Sequence, residues 1–397
     1  MKKTICLLLC FILLLALLCG CDGEEPSTVA STAPSVTEPV TEPVTTVPAT
    51  QDTPKKFRRY DMVALKQKAE ETYSKFNRII SDTGYKGNVY MKIGNDFEYL
   101  SSTGSSDAVG HTGNSLNTCF YAGSVTKQFT AAAVLLLIEE EKLSLDDNLG
   151  KFFPKYKAGK DVTVEQLLHM NSGIKNYVVP IEFRSDDFRL VPELDEMIEK
   201  DNSFKKNKRA VLDWIFSQEL SFEPGKYFDY SDSNYYLLGE IIAKVSEMSY
   251  YEFINERFFK PLGMGSSGFT ANDHTAECFD GEEQSTKLRC DGVGYSSAGL
   301  ITNVSDTLKW VDALLGGEVL SEDSLEYMFT SNGYDYGCGV YVKDKVISVT
   351  GNCGGYRSAL KYRADRSEIY LAYSNYSYCD PTYLHWMFKK TLSRFER

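Results

Sequence analysis

Hydrophobic positions follow several distinct patterns along the chain. Behind Lys2 and Lys3 stands an unbroken apolar run, ICLLLCFILLLALL, at residues 5–18. Residues 22 to about 56 lack periodicity and are rich in Pro, Thr, Val, Ser and Glu, including the near-repeat VTEPVTEPV. From 58 to 81 the apolar positions recur at helical spacing and predict an amphipathic helix. Two short runs, NVYMKIG and FEYLSS, flank Gly94-Asn95-Asp96 and read as strands. The segment CFYAGSVTKQFTAAAVLLLIEEEK passes from a small-residue turn into an apolar stretch, which predicts a buried helix ending at the charged cluster 139–142. Helical patterns dominate from about 160 to 260: VEQLLHM, RAVLDWIFSQEL, YYLLGEIIAKVSEM and YEFINERFF. After 335 the period changes to that of strands, in YGCGVYV, KVISVTG, SALKYRA and EIYLAYS, and an amphipathic helix runs through Arg397. Strands at both ends of the folded part, with helices between, predict one sheet built from both termini. That is an α+β layout carrying an all-helical insertion.

The first apolar run is shorter than the roughly 20 residues that span a bilayer. Its charged start, its length and the small-residue ending mark residues 1–20 as a secretory signal. Leu18-Cys19-Gly20-Cys21 resembles a lipobox, which implies that Cys21 is acylated and that the protein is extracytoplasmic, lipid-anchored to the cell membrane. Residues 21–56 then comprise the anchor cysteine and an extended tether, since such a composition cannot form a core. The folded domain is expected at 57–397.

Length and composition, 397 residues with 43% hydrophobic and 25% charged, are those of a globular protein. A net charge of −12 argues against nucleic-acid binding, which needs a basic footprint. Removal of the signal and lipidation of Cys21 leave six cysteines: 119, 278, 290, 338, 353 and 379. Export permits disulfides, and the polar stretch between Cys278 and Cys290 makes these two the expected pair. Without CxxC or HExxH spacing, no metal site and no cofactor are expected.

Serine needs an activating base to act as a nucleophile at neutral pH. GxSxG does not occur, but S-x-x-K occurs four times, at Ser124, Ser172, Ser203 and Ser358. A productive pair needs both side chains on one face, which i,i+3 spacing supplies on a helix. Ser358–Lys361 falls in a strand pattern that sends the two to opposite faces. Ser172 lies in a turn and Ser203 in a charged run. Only Ser124–Lys127 opens an apolar helix, where the helix N-terminus adds positive charge and a free N–H for an oxyanion.

Around this pair, SVTKQFTAAAVLLL, VTVEQLLHMNSGI, EPGKYFDYSDSNYYLLG and AGLITNVSDTLKWVDALL resemble, in order, the serine β-lactamase-related family of class C β-lactamases, DD-peptidases and esterases. The resemblance runs from about residue 87 to 390. It implies a β-lactamase/transpeptidase-like fold with an antiparallel sheet flanked by helices. Ser124 would form the acyl-enzyme, Lys127 would take its proton, and Tyr230 of Tyr230-Ser231-Asp232 would be the acid/base partner. The third motif falls on Val349-Thr350-Gly351, placing the backbone N–H of Asn352 beside that of Ser124 as oxyanion donors. His169, in apolar surroundings, reads as structural. Asp232, Val349, Thr350 and Gly351 would border the substrate.

Two positions depart from the pattern. The second motif usually ends in Asn and here in Asp232; the third usually begins with a cation and here with Val349. One unit charge about 5 Å away at an effective dielectric of about 20 is worth roughly 3 kcal/mol, or about 2 pKa units. Both changes push Lys127 and Tyr230 upward in pKa. Arg357 is the nearby cation available to compensate. The expected function is hydrolysis of an ester, amide or small peptide, cell-wall material being one source. The alternatives are a DD-peptidase or β-lactamase, and a wall-binding lipoprotein with weak or absent catalysis.

Overall fold

Alternating strand patterns from both ends of the domain meet in one antiparallel sheet. In the computed structural model the described residues are 60–396, apart from 111, 182–183, 199–203, 281–282 and 285–291. The expected signal, Cys21, the tether to residue 56, Ser203 and Cys290 lie outside them. The longer strands in chain order are β1 (Gly87–Ile93), β2 (Phe97–Thr103), β3 (Val178–Ile181), β4 (Arg184–Leu190), β5 (Tyr341–Lys343), β6 (Val346–Cys353), β7 (Tyr356–Arg363) and β8 (Glu368–Ser374). Six of them form a sheet in the order β2-β1-β8-β7-β6-β5. β1 pairs with β8 from Asn88↔Tyr373 to Ile93↔Glu368, so the two chain ends join in the middle of the sheet.

Both sheet faces are covered. Along β1, Val89 and Met91 join a core with Leu65, Phe76 and Phe388, while Tyr90 joins the larger core on the opposite face. The principal helices are α1 (Ala69–Thr83), α2 (Thr126–Glu139), α3 (Asp232–Ser246), α4 (Val304–Gly316) and α5 (Pro381–Leu392). α1 and α5 close the first face, where Phe76 stacks on Phe388 at 3.8 Å between centroids. α2, apolar on nearly every side, runs through the second core and is buried from Thr126 to Leu135. Trp310 of α4 stacks on its Phe129 at 3.9 Å.

Two expectations are corrected. The block from 160 to 260 is not all helical: β3 and β4 form a hairpin inside it, paired Val178↔Leu190 and Val179↔Arg189. Its short apolar runs, broken by Pro180, give no clear period, so tertiary contacts decide their state. The Cys278–Cys290 bridge is not made, because Cys278 is a buried free thiol. Its Sγ donates to the Gly354 carbonyl at 3.1 Å, under the β6–β7 turn. Loop spacing says nothing about the direction in which a side chain packs. Cys353, at the end of β6, is disulfide-bonded, whereas Cys119, Cys338 and Cys379 are free thiols.

Candidate active site

Ser124 lies in a single helical turn, Gly123–Val125, that leads directly into α2. Gly123 has φ +55°, and a Cβ there would meet the Asn352 nitrogen at 2.6 Å. Glycine is therefore required at 123 by both conformation and space. Gly351 is equally confined, since a Cβ would fall 2.1 Å from the Ala122 carbonyl and 2.3 Å from Ser358 Oγ. Ser358 Oγ also donates to that carbonyl at 2.8 Å. β6 is thus pressed against the turn that holds Ser124, with the Asn352 nitrogen close to Gly123. β7 pairs with β6 along its whole length, but β5 pairs with it only from Val346 to Ser348, so beyond Ser348 no strand among the described residues pairs with β6 on that edge.

The chemistry converges on one oxygen. Ser124 Oγ accepts a hydrogen bond from Lys127 Nζ at 3.0 Å and one from the Tyr230 hydroxyl at 2.9 Å. Lys127 spends its other two donors on Asp232 Oδ1 at 2.6 Å and the Ser297 carbonyl at 3.0 Å. With its side chain 1% exposed, Lys127 is a fully desolvated ammonium whose three protons are all taken. Burial pushes its pKa down, but the Asp232 carboxylate and Tyr230 more than offset this and hold it above the ordinary lysine value. Burial raises the Tyr230 phenol; Lys127 pulls it down, Asp232 pushes it up, and the net direction is upward. Asp232 therefore lies well inside the range in which its charge acts on Lys127.

Asp232 is held in turn. Its backbone N–H donates to Asn176 Oδ1 at 3.0 Å, while Asn176 Nδ2 lies 3.4 Å from its Oδ2. Tyr230 is boxed by Tyr336, edge-on at 6.1 Å, and by Tyr341, parallel at 6.5 Å. Asn176, Ser297, Tyr336 and Tyr341 were not legible in the sequence. The need of a buried ammonium for several acceptors was foreseeable, but spacing does not reveal which residues supply them.

The remaining predicted residues are accounted for. Val349, Thr350, Gly351, Asn352 and Arg357 line the same cleft as Ser124, Tyr230 and Asp232, a space of about 1120 Å³. Val349 is 5% exposed, so the place where the pattern has a cation holds a buried apolar side chain. Arg357, cross-strand from Asn352, enters the cleft from β7 and donates from Nε to the Ser377 carbonyl at 3.0 Å. Ser172 donates to Asn234 Oδ1 at 2.6 Å and is buried, as is Ser358. His169 is buried beside the Tyr327 hydroxyl, 3.3 Å from Nε2. No cluster of three or more His, Cys, Asp or Glu residues fit to hold a metal is found among the described residues.

The family model described as Beta-lactamase matches residues 77–383. The chain is 26% identical over 316 residues to PbpX of Bacillus subtilis, by name a penicillin-binding protein, covering 78% of this chain and 75% of that one. It is 32% identical over 193 residues to Protein flp of Staphylococcus aureus, covering 47% of this chain but only 33% of that protein. Among solved structures, a penicillin-binding protein from Bacillus halodurans superposes with a TM-score of 0.68 at 24% identity, covering 79% of this chain and 99% of the other. A D-amino acid amidase from Ochrobactrum anthropi SV3 superposes with a TM-score of 0.67 at 17% identity, covering 82% and 99%. At these identities the two superpositions establish likeness of fold.

Proposed function

Since the chain belongs to the β-lactamase family of serine hydrolases, we propose that it cleaves an ester, amide or small peptide through an acyl-enzyme on Ser124. The observation that carries this reading is the pair of hydrogen bonds joining Ser124 Oγ to both Lys127 and Tyr230. In the first half-reaction Ser124 Oγ attacks the carbonyl carbon and its proton passes to Lys127 Nζ in the neutral amine form. The charge that develops on the carbonyl oxygen meets the N–H groups of Ser124 and Asn352, a type of stabilisation worth about 10²–10³ in rate per donor. The carbon–oxygen or carbon–nitrogen bond then breaks, and the Lys127–Tyr230 pair returns the proton to the leaving group. In the second half-reaction water attacks the ester, loses its proton to the same pair, and frees Ser124 and the acid.

Val349 disfavours substrates whose leaving part carries a carboxylate, because the family's cation is missing and an unpaired anion there would be desolvated. Amides stay within reach, consistent with the likeness of fold to an amidase. A panel of purified reactions tests this: an activated ester and an uncharged amino-acid amide should be hydrolysed faster than a D-Ala-D-Ala peptide or a cephalosporin. Preference for the last two would favour the DD-peptidase or β-lactamase reading instead.

The protein also acts, in this reading, at the outer surface of the cell membrane. The charged start, short apolar run and Leu-Cys-Gly-Cys ending support acylation of Cys21, and the polar segment 22–56 supports a spacer role. Metabolic labelling with a fatty-acid analogue should mark the wild type and leave Cys21→Ala unmarked. Equal labelling of both would end this part of the proposal.

A further inference from the structure

We infer that the cleft contains an apolar subsite on the acyl side of the reacting carbonyl, and that the substrate's acyl group is a hydrophobic chain or ring. The inference deepens the hydrolase reading and rests on it. The subsite is built by the β3–β4 hairpin, which starts at the catalytic centre itself. Asn176, bonded to Asp232, is followed by Tyr177, whose hydroxyl donates to the Val293 carbonyl at 2.7 Å and lies 3.0 Å from Ser297 Oγ. Tyr177 also accepts at its carbonyl from the Val191 N–H at 3.0 Å, so both ends of the hairpin are tied beside the nucleophile. From this anchor the hairpin packs toward β6, the strand that carries the Asn352 amide.

The apolar residues that the hairpin and its support contribute to the lining of the cleft are Val178, Val179, Leu190 and Val191, with Trp214 and Val293. Leu190, Val191 and Val293 are 4%, 8% and 4% exposed and form a floor, whereas the cations Lys175 and Arg189, which also line the cleft, are exposed to solvent. A floor of branched aliphatic side chains offers no partner to a polar group and gains from covering an apolar one. Its side of the cleft is assigned from the two ends of the bond that breaks. The leaving group takes its proton from the Lys127–Tyr230 pair and is placed by Tyr230, Tyr336 and Tyr341, whereas the acyl part stays bonded to Ser124 and is left with the hairpin floor of the same cleft. A cleft of about 1120 Å³ far exceeds what an acetyl group fills.

The test uses the full protein and p-nitrophenyl esters from acetate to hexanoate, which vary the acyl chain at constant leaving group. Each methylene laid on the floor should raise kcat/KM by about threefold. Val178→Asn and Trp214→Ala should each cut that gain to below about twofold per methylene. The hexanoate-to-acetate ratio is taken within one enzyme, so a loss of folded protein in a variant cancels. A flat or falling series in the wild type, or an undiminished slope in both variants, overturns the inference. If Ser124 is labelled by a fluorophosphonate while the series is flat, the subsite alone is wrong. If no ester is turned over and Ser124 stays unlabelled, the hydrolase reading falls and this inference with it.

Discussion

Replacing Ser124 by alanine will abolish covalent labelling by a fluorophosphonate and lower kcat/KM on an activated ester by at least about 10⁴-fold. Nucleophile and base act as a unit, and losing either typically costs about as much as losing both. Lys127→Ala should therefore be as inactive as Ser124→Ala, and the double variant no worse than either. The two differ in stability. Ser124 is partly exposed, so water can take the place of its hydroxyl. Lys127 is buried against Asp232 at 2.6 Å, and deleting one partner of a buried pair costs about 3–5 kcal/mol. Thermal unfolding should show a clear drop in Tm for Lys127→Ala and little for Ser124→Ala. Full activity in Ser124→Ala would require another nucleophile, and neither Ser172 nor Ser358 offers one, both being buried and hydrogen-bonded.

The second large effect concerns pH. Asp232 keeps Lys127 in its ammonium form, and the lysine pKa stands above its ordinary value. The neutral amine that accepts the serine proton becomes common only as pH rises toward that raised pKa, so activity should climb on the alkaline side. Asp232→Asn preserves an acceptor for Nζ but removes the charge. Burial then acts on Lys127 with much less opposition and pulls its pKa down. The rising limb of the kcat/KM profile should move to lower pH by at least about two units, the Coulomb effect of one nearby charge. Val349→Lys places a cation in the same cleft and should act in the same direction, more weakly, while improving substrates whose leaving part bears a carboxylate. A pH–rate series on the three proteins decides. An unshifted limb in both variants removes the electrostatic account and leaves Asp232 as the group that fixes Asn176 and the start of β3.

The local signals that served best were those with a mechanism at short range. The S-x-x-K copy at the head of an apolar helix was separable from the other three because helical spacing puts Ser124 and Lys127 on one face. The strand periods after 335 were legible because both sheet faces are buried and alternate residues enter different cores. The roles of Tyr230 and of residues 349–351 came only through likeness to a family, since nothing local ties them to Ser124. The β3–β4 hairpin was missed for a related reason: its runs are short, and it exists where it can pack across the cleft.

By itself the sequence determined that Ser124 and Lys127 share one helical face and that strand patterns stand at both ends of the folded part, while Asp232 and Val349 stood out only against the pattern of a family that the chain resembles. The first two depend on residue type and on spacing within one element, which the chain carries directly. Only the tertiary structure decided that Asp232 reaches Lys127 at 2.6 Å, that Asn176 and Ser297 complete the setting, and that Cys278 stays a free thiol. Lys127 and Asp232 are 105 residues apart, and Lys127 and Ser297 are 170 apart. Over such separations, which side chain meets which follows from how the helices and the sheet pack, and packing is a property of the whole core rather than of any segment.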